Sequence, residues 1–138
     1  MENITIKHNV LTAEGFCGLW SSVWGDPPKL EQVELALANT LFSVSAYDGE
    51  KLIVMARMIG DKGLCCYIKD VIVSPGYQSR GIGRALINEL LGYVEENGIS
   101  GTDVFVELAA VPDKIPFYEK LGFDENDAHR LKKMHHIK

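Results

Sequence analysis

Little in this chain points to a membrane, a secretory route or a nucleic acid. No run approaches the ~18 consecutive apolar residues of a membrane span. The N-terminus, MENITIKHNV, has no basic patch leading into an apolar core, so no secretory signal is read. A cytoplasmic location is the simplest expectation. Net positive charge is also missing: 14 Lys and Arg stand against 19 Asp and Glu, a formal charge of −5. Non-specific nucleic-acid binding rests on basic surface, so that class is disfavoured. A local pocket can still hold an anion against the global sign, and a mildly acidic surface suits cationic substrates such as amines. Cysteine is scarce. Cys17, Cys65 and Cys66 are odd in number and show no Cys-x-x-Cys spacing, so neither a disulfide framework nor a zinc knuckle is expected. Cys65 and Cys66 are neighbours in an apolar run and would face opposite sides of a strand. They read as small buried hydrophobes in a reducing compartment. Repeats, low-complexity segments and linkers are absent. What remains is one domain of 138 residues, 46% hydrophobic, enough for a core.

The periodicity changes along the chain. Ile4 to Lys7 alternates and reads as an edge strand. Thr12 can cap a helix running through Trp20. GDPPKLEQVELALAN reads as a turn and a helix, with Pro28 in its first turn and Leu30, Val33 and Leu37 on one face. The period then becomes two. Strands are expected over Leu41 to Tyr47, Lys51 to Ile59 and Leu64 to Val73, with turns at Asp48–Gly49 and Gly60 to Gly63. Pro75 and Gly76 stop this antiparallel meander. Leu86, Ile87, Leu90, Leu91 and Val94 predict a helix over Gly83 to Asn97, stopped by Gly98. Thr102 to Ala109 reads as a strand, Ile115 to Leu121 as a short helix, and the tail from Phe123 as one or two strands. Strand, helix, strand implies a parallel pairing by a crossover. The fold is therefore α+β: a meander, a crossover helix and a parallel partner, with a splayed point between the Leu64–Val73 and Thr102–Ala109 strands where ligands can enter.

The loop Gln78-Ser-Arg-Gly-Ile-Gly83 sits at the mouth of the long helix. Backbone N–H groups at a helix N-terminus attract anions, and glycine lets a phosphate approach them. Arg80 and Arg84 can add charge from the rim. A turn whose glycines merely adopt positive φ would use the same residues. Two familiar phosphate loops fail. A P-loop needs Lys-Ser/Thr after its last glycine, and here Arg84-Ala85 follows. The dinucleotide fingerprint needs a third glycine where Leu86 stands.

The same loop fits Gln/Arg-x-x-Gly-x-Gly/Ala, and in this it resembles the GNAT acetyltransferases. Lys69-Asp-Val-Ile-Val-Ser-Pro75 looks like that family's strand into the loop, and Pro116-Phe-Tyr-Glu-Lys-Leu-Gly-Phe123 like its second signature. The resemblance covers Leu41 to Phe123 well and the N-terminal helices loosely. It implies acetyl-coenzyme A as co-substrate. Its pyrophosphate would lie on the loop, Gln78, Ser79, Arg80, Gly81, Ile82, Gly83 and Arg84. Its pantetheine would pair along Val71, Ile72 and Val73, with an oxyanion contact from a backbone N–H near Ile72 or Val73. Many members carry Asn seven residues before the signature tyrosine; here Val111 stands there, with Asp113 nearby.

Acetyl transfer to an amine needs a deprotonated nucleophile, a stabilised carbonyl oxygen and a proton donor for the leaving thiolate. The resemblance makes Tyr118 the donor; a phenol of pKa ~10 is protonated at neutral pH. Asp70 and Glu107, on the strands flanking the splay, are the candidate bases. Asp70 could equally pair with Lys69, Arg57 or a loop amide, and Glu107 could be a solvated strand end. A covalent route through Cys65 or Cys66 lacks a histidine partner, because His8, His129, His135 and His136 lie near the chain ends. His135-His136 has no third ligand spaced around it and reads as a solvated tail, with no metal. Trp20 and Trp24 could wall an acceptor site, with Asp26 meeting a cation; Trp20 also suits a core position. The acceptor is expected to be a primary amine of a small molecule or peptide. The rival class is a non-catalytic acyl-coenzyme A-binding module on the same fold. A homodimer is plausible, though no residue points to one.

Overall fold

The computed structural model describes residues 3–127 and 130–138. The strands are β1 (Ile4–His8), β2 (Phe42–Asp48), β3 (Lys51–Gly60), β4 (Cys65–Val73), β5 (Asp103–Ala109), β6 (Asp124–Asp127) and β7 (Arg130–His136). The helices are α1 (Ala13–Trp24), α2 (Leu30–Ala38), α3 (Ile82–Asn97) and α4 (Ile115–Glu119). The strands form one seven-stranded sheet in the order β1-β2-β3-β4-β5-β7-β6. β2 to β4 are the expected antiparallel meander, β1 adds to β2 as the expected edge strand, and α3 carries the chain across to β5, which lies parallel to β4. Of the one or two strands expected in the tail, the structure has two, β6 and β7.

Alternation along the strands sends side chains to two faces. Val54 and Ala56 go to the larger core with Leu86, Ile87 and Leu90 of α3. Met55 and Ile72 go to the other face, under Phe16 and Leu19 of α1 and Val33 of α2. The sheet is thus sandwiched between α3 and the α1–α2 pair.

Three local expectations need correction. Thr12 does cap α1, its Oγ1 accepting from the Gly15 N–H at 3.1 Å, but the helix runs one turn past Trp20 to Trp24. Helix α2 begins at Leu30, because Lys29 is extended (ψ 144°), so Pro28 precedes the helix. Leu30 is then the first residue of a free helix end and is exposed, whereas Val33 is buried and Leu37 partly so. The tail is a paired strand, with His136 exposed but His135 partly buried: His135 Nε2 lies 2.8 Å from Glu95 and His136 Nδ1 2.7 Å from Asp103. His129 lies outside the described residues. Among the described residues, no group of three potential ligands could hold a metal, and no helix is long and apolar enough to cross a membrane.

Cys65 and Cys66 do face opposite sides, but only Cys66 is buried; Cys65 is exposed. Burial pushes both thiols up, and Asp61 and Glu107 add to the effect at Cys65. Both are poor nucleophiles at neutral pH.

Candidate active site

β4 and β5 pair over only three rungs, Cys65↔Phe105, Cys66↔Val106 and Tyr67↔Glu107. Beyond them β4 stays with β3 while β5 stays with β7. The strands part where the sequence places the splay. A cleft of about 660 Å³ fills the gap. Its walls are β4 from Tyr67 to Val73, the loop from Tyr77 to Arg84, the chain around Leu108 to Val111, Phe117 and Tyr118, and Trp20, Val23 and Trp24 of α1.

The cause of the parting lies in β4. Between Met55↔Ile72 and Arg57↔Lys69 the ladder shifts by one residue, and Asp70 takes a left-handed φ of 55°. A bulge of this kind bends and twists its strand. An aspartate at positive φ is strained. It is held there by Arg57, whose Nε donates to Asp70 Oδ2 at 2.6 Å while its Nη1 donates to Thr40 Oγ1 at 3.3 Å. Of the alternatives for Asp70, pairing with Arg57 is the observed one. After the bulge the Ser74 N–H donates to the Ile53 carbonyl at 2.7 Å. Alternation then turns Ile72 toward β3 and the backbone groups of Val71 and Val73 toward the gap. Gln78 Nε2 donates to the Val73 carbonyl at 3.3 Å, consistent with that direction.

The loop enters α3 through Ser79 at φ 63° and Gly81 at φ 80°. Gly81 is the N-cap of α3, and no side chain caps the helix. The first intrahelical bond is from the Ala85 N–H to the Gly81 carbonyl, 3.1 Å. The amides of Ile82, Gly83 and Arg84 therefore precede the ladder, at the positive end of a 16-residue helix dipole. A Cβ built on Gly81 meets nothing within 4 Å, so its role is conformational. A Cβ on Gly83 would lie 3.5 Å from Val73 and 3.9 Å from Phe117, filling the cleft between them. Arg80 and Arg84 are both exposed at the rim. Amides, two arginines and an unfilled cradle fit a pyrophosphate.

Tyr118 packs against Phe117 and Phe123, with ring centroids 5.0 and 5.9 Å away, and is buried. Among the described residues nothing hydrogen-bonds its hydroxyl. Burial pushes its pKa up to about 12, so the phenol is protonated at neutral pH. Asp70 and Tyr118 both line the cleft. Glu107 sits half-buried at the last β4–β5 rung, opposite Tyr67, and is not among the lining residues. Val111 and Asp113 are on the wall. Trp20 and Trp24 meet edge to face at 4.7 Å on the wall, whereas Asp26 is exposed outside it. Sequence reasoning offered Arg57 as one partner for Asp70 but missed the bulge that the pair holds, and it missed Tyr67 as the last rung; only pairing register reveals either.

A sheet parted beside an uncapped, glycine-entered helix makes a cleft with an anion site at its mouth. The chain belongs to the Acetyltransferase (GNAT) family, whose sequence profile matches residues 11–123. It is 33% identical over 119 residues to an uncharacterized N-acetyltransferase, ycf52, of Pyropia yezoensis, a match covering 83% of this chain and 64% of that one. The chain thus spans less than two thirds of that relative. A probable acetyltransferase of unknown function from meticillin-resistant Staphylococcus aureus superposes with a TM-score of 0.81 at 30% identity, covering 90% of this chain and 92% of the other. The GNAT family N-acetyltransferase YhbS of Escherichia coli, solved in complex with CoA, shares the fold at a TM-score of 0.75 and 16% identity, over 96% and 81% of the two chains.

Proposed function

We propose that the protein is an acetyl-coenzyme A-dependent N-acetyltransferase that acts on a primary amine of a small molecule or peptide by direct attack. The observation that carries the reading is the uncapped N-terminus of α3 opening onto the unpaired edge of β4. The CoA bound to YhbS supports it. The amides from Ser79 to Arg84 would hold the pyrophosphate, with Arg80 and Arg84 adding charge. The gap-facing backbone of Val71 and Val73 would pair with the pantetheine, and one N–H there would stabilise the carbonyl oxygen. Ile72 supports them by packing under α1. Val111 offers no amide side chain, so that hold on the pantetheine falls to backbone.

Bound acetyl-coenzyme A supplies an activated thioester. Tyr118 gives or shares a proton with the departing sulfur. A phenol near 12 is a weaker acid than a free thiol of about 8.5. The same desolvation raises the thiol in the cleft, which narrows that difference. The amine proton leaves through water; of Asp70 and Glu107, Asp70 is the carboxylate on the cleft wall. We include a cytoplasmic location and a homodimer in the proposal. Three free thiols suit a reducing compartment.

The test is calorimetric titration with acetyl-coenzyme A, followed by assay of free thiol against an amine panel. Micromolar binding and amine-dependent thiol release are expected; no binding overturns the reading. Gly83→Ala gives a more local check. Alanine in a helix is favoured over glycine by up to about 1 kcal/mol. The added methyl meets only ordinary contacts in the free protein. The variant should melt no lower than wild type yet bind acetyl-coenzyme A about tenfold more weakly, because the cradle between Val73 and Phe117 is filled. Melting and titration on one sample check both signs.

A further inference from the structure

The phosphate loop has few ties to the rest of the molecule. Between Tyr77 and Ile82, among the described residues, the Gln78 side chain makes one long bond to Val73 and no other side chain bonds. Just before it, Tyr77 reaches out of the loop: its hydroxyl donates to Asp48 Oδ2 at 2.5 Å. Asp48 is a fixed point. It ends β2 and is paired on one side with Ile4 and on the other with Lys51. The Tyr77 ring also collects two cations, with Lys51 Nζ 5.5 Å and Arg80 Cζ 5.2 Å from its centroid. Asp48 and Lys51 are not among the residues lining the cleft, whereas Tyr77 is.

We infer that the Tyr77–Asp48 hydrogen bond is a latch that ties the phosphate loop to the β2–β3 hairpin and sets its amides for the coenzyme. Tyr77 and Asp48 are positioning residues; the affinity part of this inference rests on the acetyl-coenzyme A reading above. The Asp48 bond, before burial, holds the Tyr77 phenol above the usual tyrosine range, so it stays a donor across neutral pH. The latch has an unusual electrostatic sign. Asp48 carries the same charge as a pyrophosphate, so by Coulomb attraction alone its removal would tighten binding. As a latch its removal weakens binding, because a loosened loop must be ordered again on association.

The test uses Tyr77→Phe, Asp48→Ala and the double variant. Tyr77→Phe keeps the ring, both cation contacts and the net charge, and loses one hydroxyl. The latch predicts a Kd for acetyl-coenzyme A about tenfold higher in each single variant, the ordinary worth of a hydrogen bond to a charged acceptor. The double variant should be no weaker than either single one, since both remove one interaction. The KM for acetyl-coenzyme A should carry the change, not the kcat at saturating coenzyme. Hydrogen exchange on the coenzyme-free protein should speed up over residues 78–83 in Tyr77→Phe, with β3 and β4 unchanged. Wild-type exchange and affinity in Tyr77→Phe, or tighter binding in Asp48→Ala, overturns the latch. If the wild type binds no acetyl-coenzyme A, the functional reading fails, and exchange alone decides whether the loop is latched.

Discussion

Gly81→Glu should weaken acetyl-coenzyme A binding about a thousandfold and leave the sheet folded. The expectation follows from what surrounds Gly81. Its φ of 80° costs an L-residue roughly 1–2 kcal/mol. No neighbour lies within 4 Å of the new Cβ, so the free protein pays no clash. A carboxylate at the N-cap of α3 recovers part of the strain, because acid there is favourable by about 0.3–1 kcal/mol. The bound state differs. The carboxylate stands where the pyrophosphate would lie, and two like charges about 4 Å apart repel by about 4 kcal/mol at an effective dielectric of 20. That is a loss of about a thousandfold. Gly81→Ala is the control, since it carries the strain without the charge. It should lose no more than about tenfold, the cost of a loop that samples other conformations. Calorimetry on both variants, with circular dichroism to verify the fold, makes the comparison. Equal binding by wild type and Gly81→Glu would mean that the loop is only a turn.

How much of this was legible in the sequence depends on the range of the cause. The meander, the crossover and the parting of β4 from β5 follow from local signals: period-two runs, turn residues and an apolar helical stripe after a glycine loop. The loop and Tyr118 were legible because each sits in a contiguous motif. The bulge was not. Asp70 reaches its left-handed conformation through Arg57, a residue thirteen positions earlier on the neighbouring strand, and only register brings the two together. Pro28 and Leu30 were misplaced for a subtler reason. Two prolines in succession allow a helix to begin but do not fix its first turn, and Lys29 stays extended. Glu107 looked equivalent to Asp70, since both lie on strands beside the splay. The last rung leaves Glu107 at the closed end, and the cleft opens beyond it. Tyr77 and Asp48, 29 residues apart, join a hairpin turn to the loop in a way no periodicity announces.

Tyr118→Phe should bind acetyl-coenzyme A within about twofold of wild type and lose between a hundred- and ten-thousandfold in kcat, the usual range for removing a proton donor. The two halves rest on different observations. Binding should be spared because the change removes one atom from one of many residues lining a large cleft, and the ring stays packed against Phe117 and Phe123. Folding is spared as well, because nothing among the described residues bonds the hydroxyl, so its loss strands no partner. The variant should melt at or slightly above the wild-type temperature. Turnover should not be spared, because in the proposed reaction the phenol gives its proton to the departing sulfur. Its pKa of about 12 adds a check. A donor that keeps its proton this far up does not lose activity near pH 10, where an exposed tyrosine would. The wild-type rate should therefore show no fall between pH 9 and pH 10.5 from loss of this proton, and the residual rate of Tyr118→Phe should follow the same profile at its lower level. Unchanged kcat would remove Tyr118 from the chemistry and leave water to protonate the sulfur. Lost binding together with lost turnover would mean that the hydroxyl holds the coenzyme. Only retained binding with lost turnover assigns the proton to Tyr118 and separates a catalyst from a coenzyme-binding module built on the same fold.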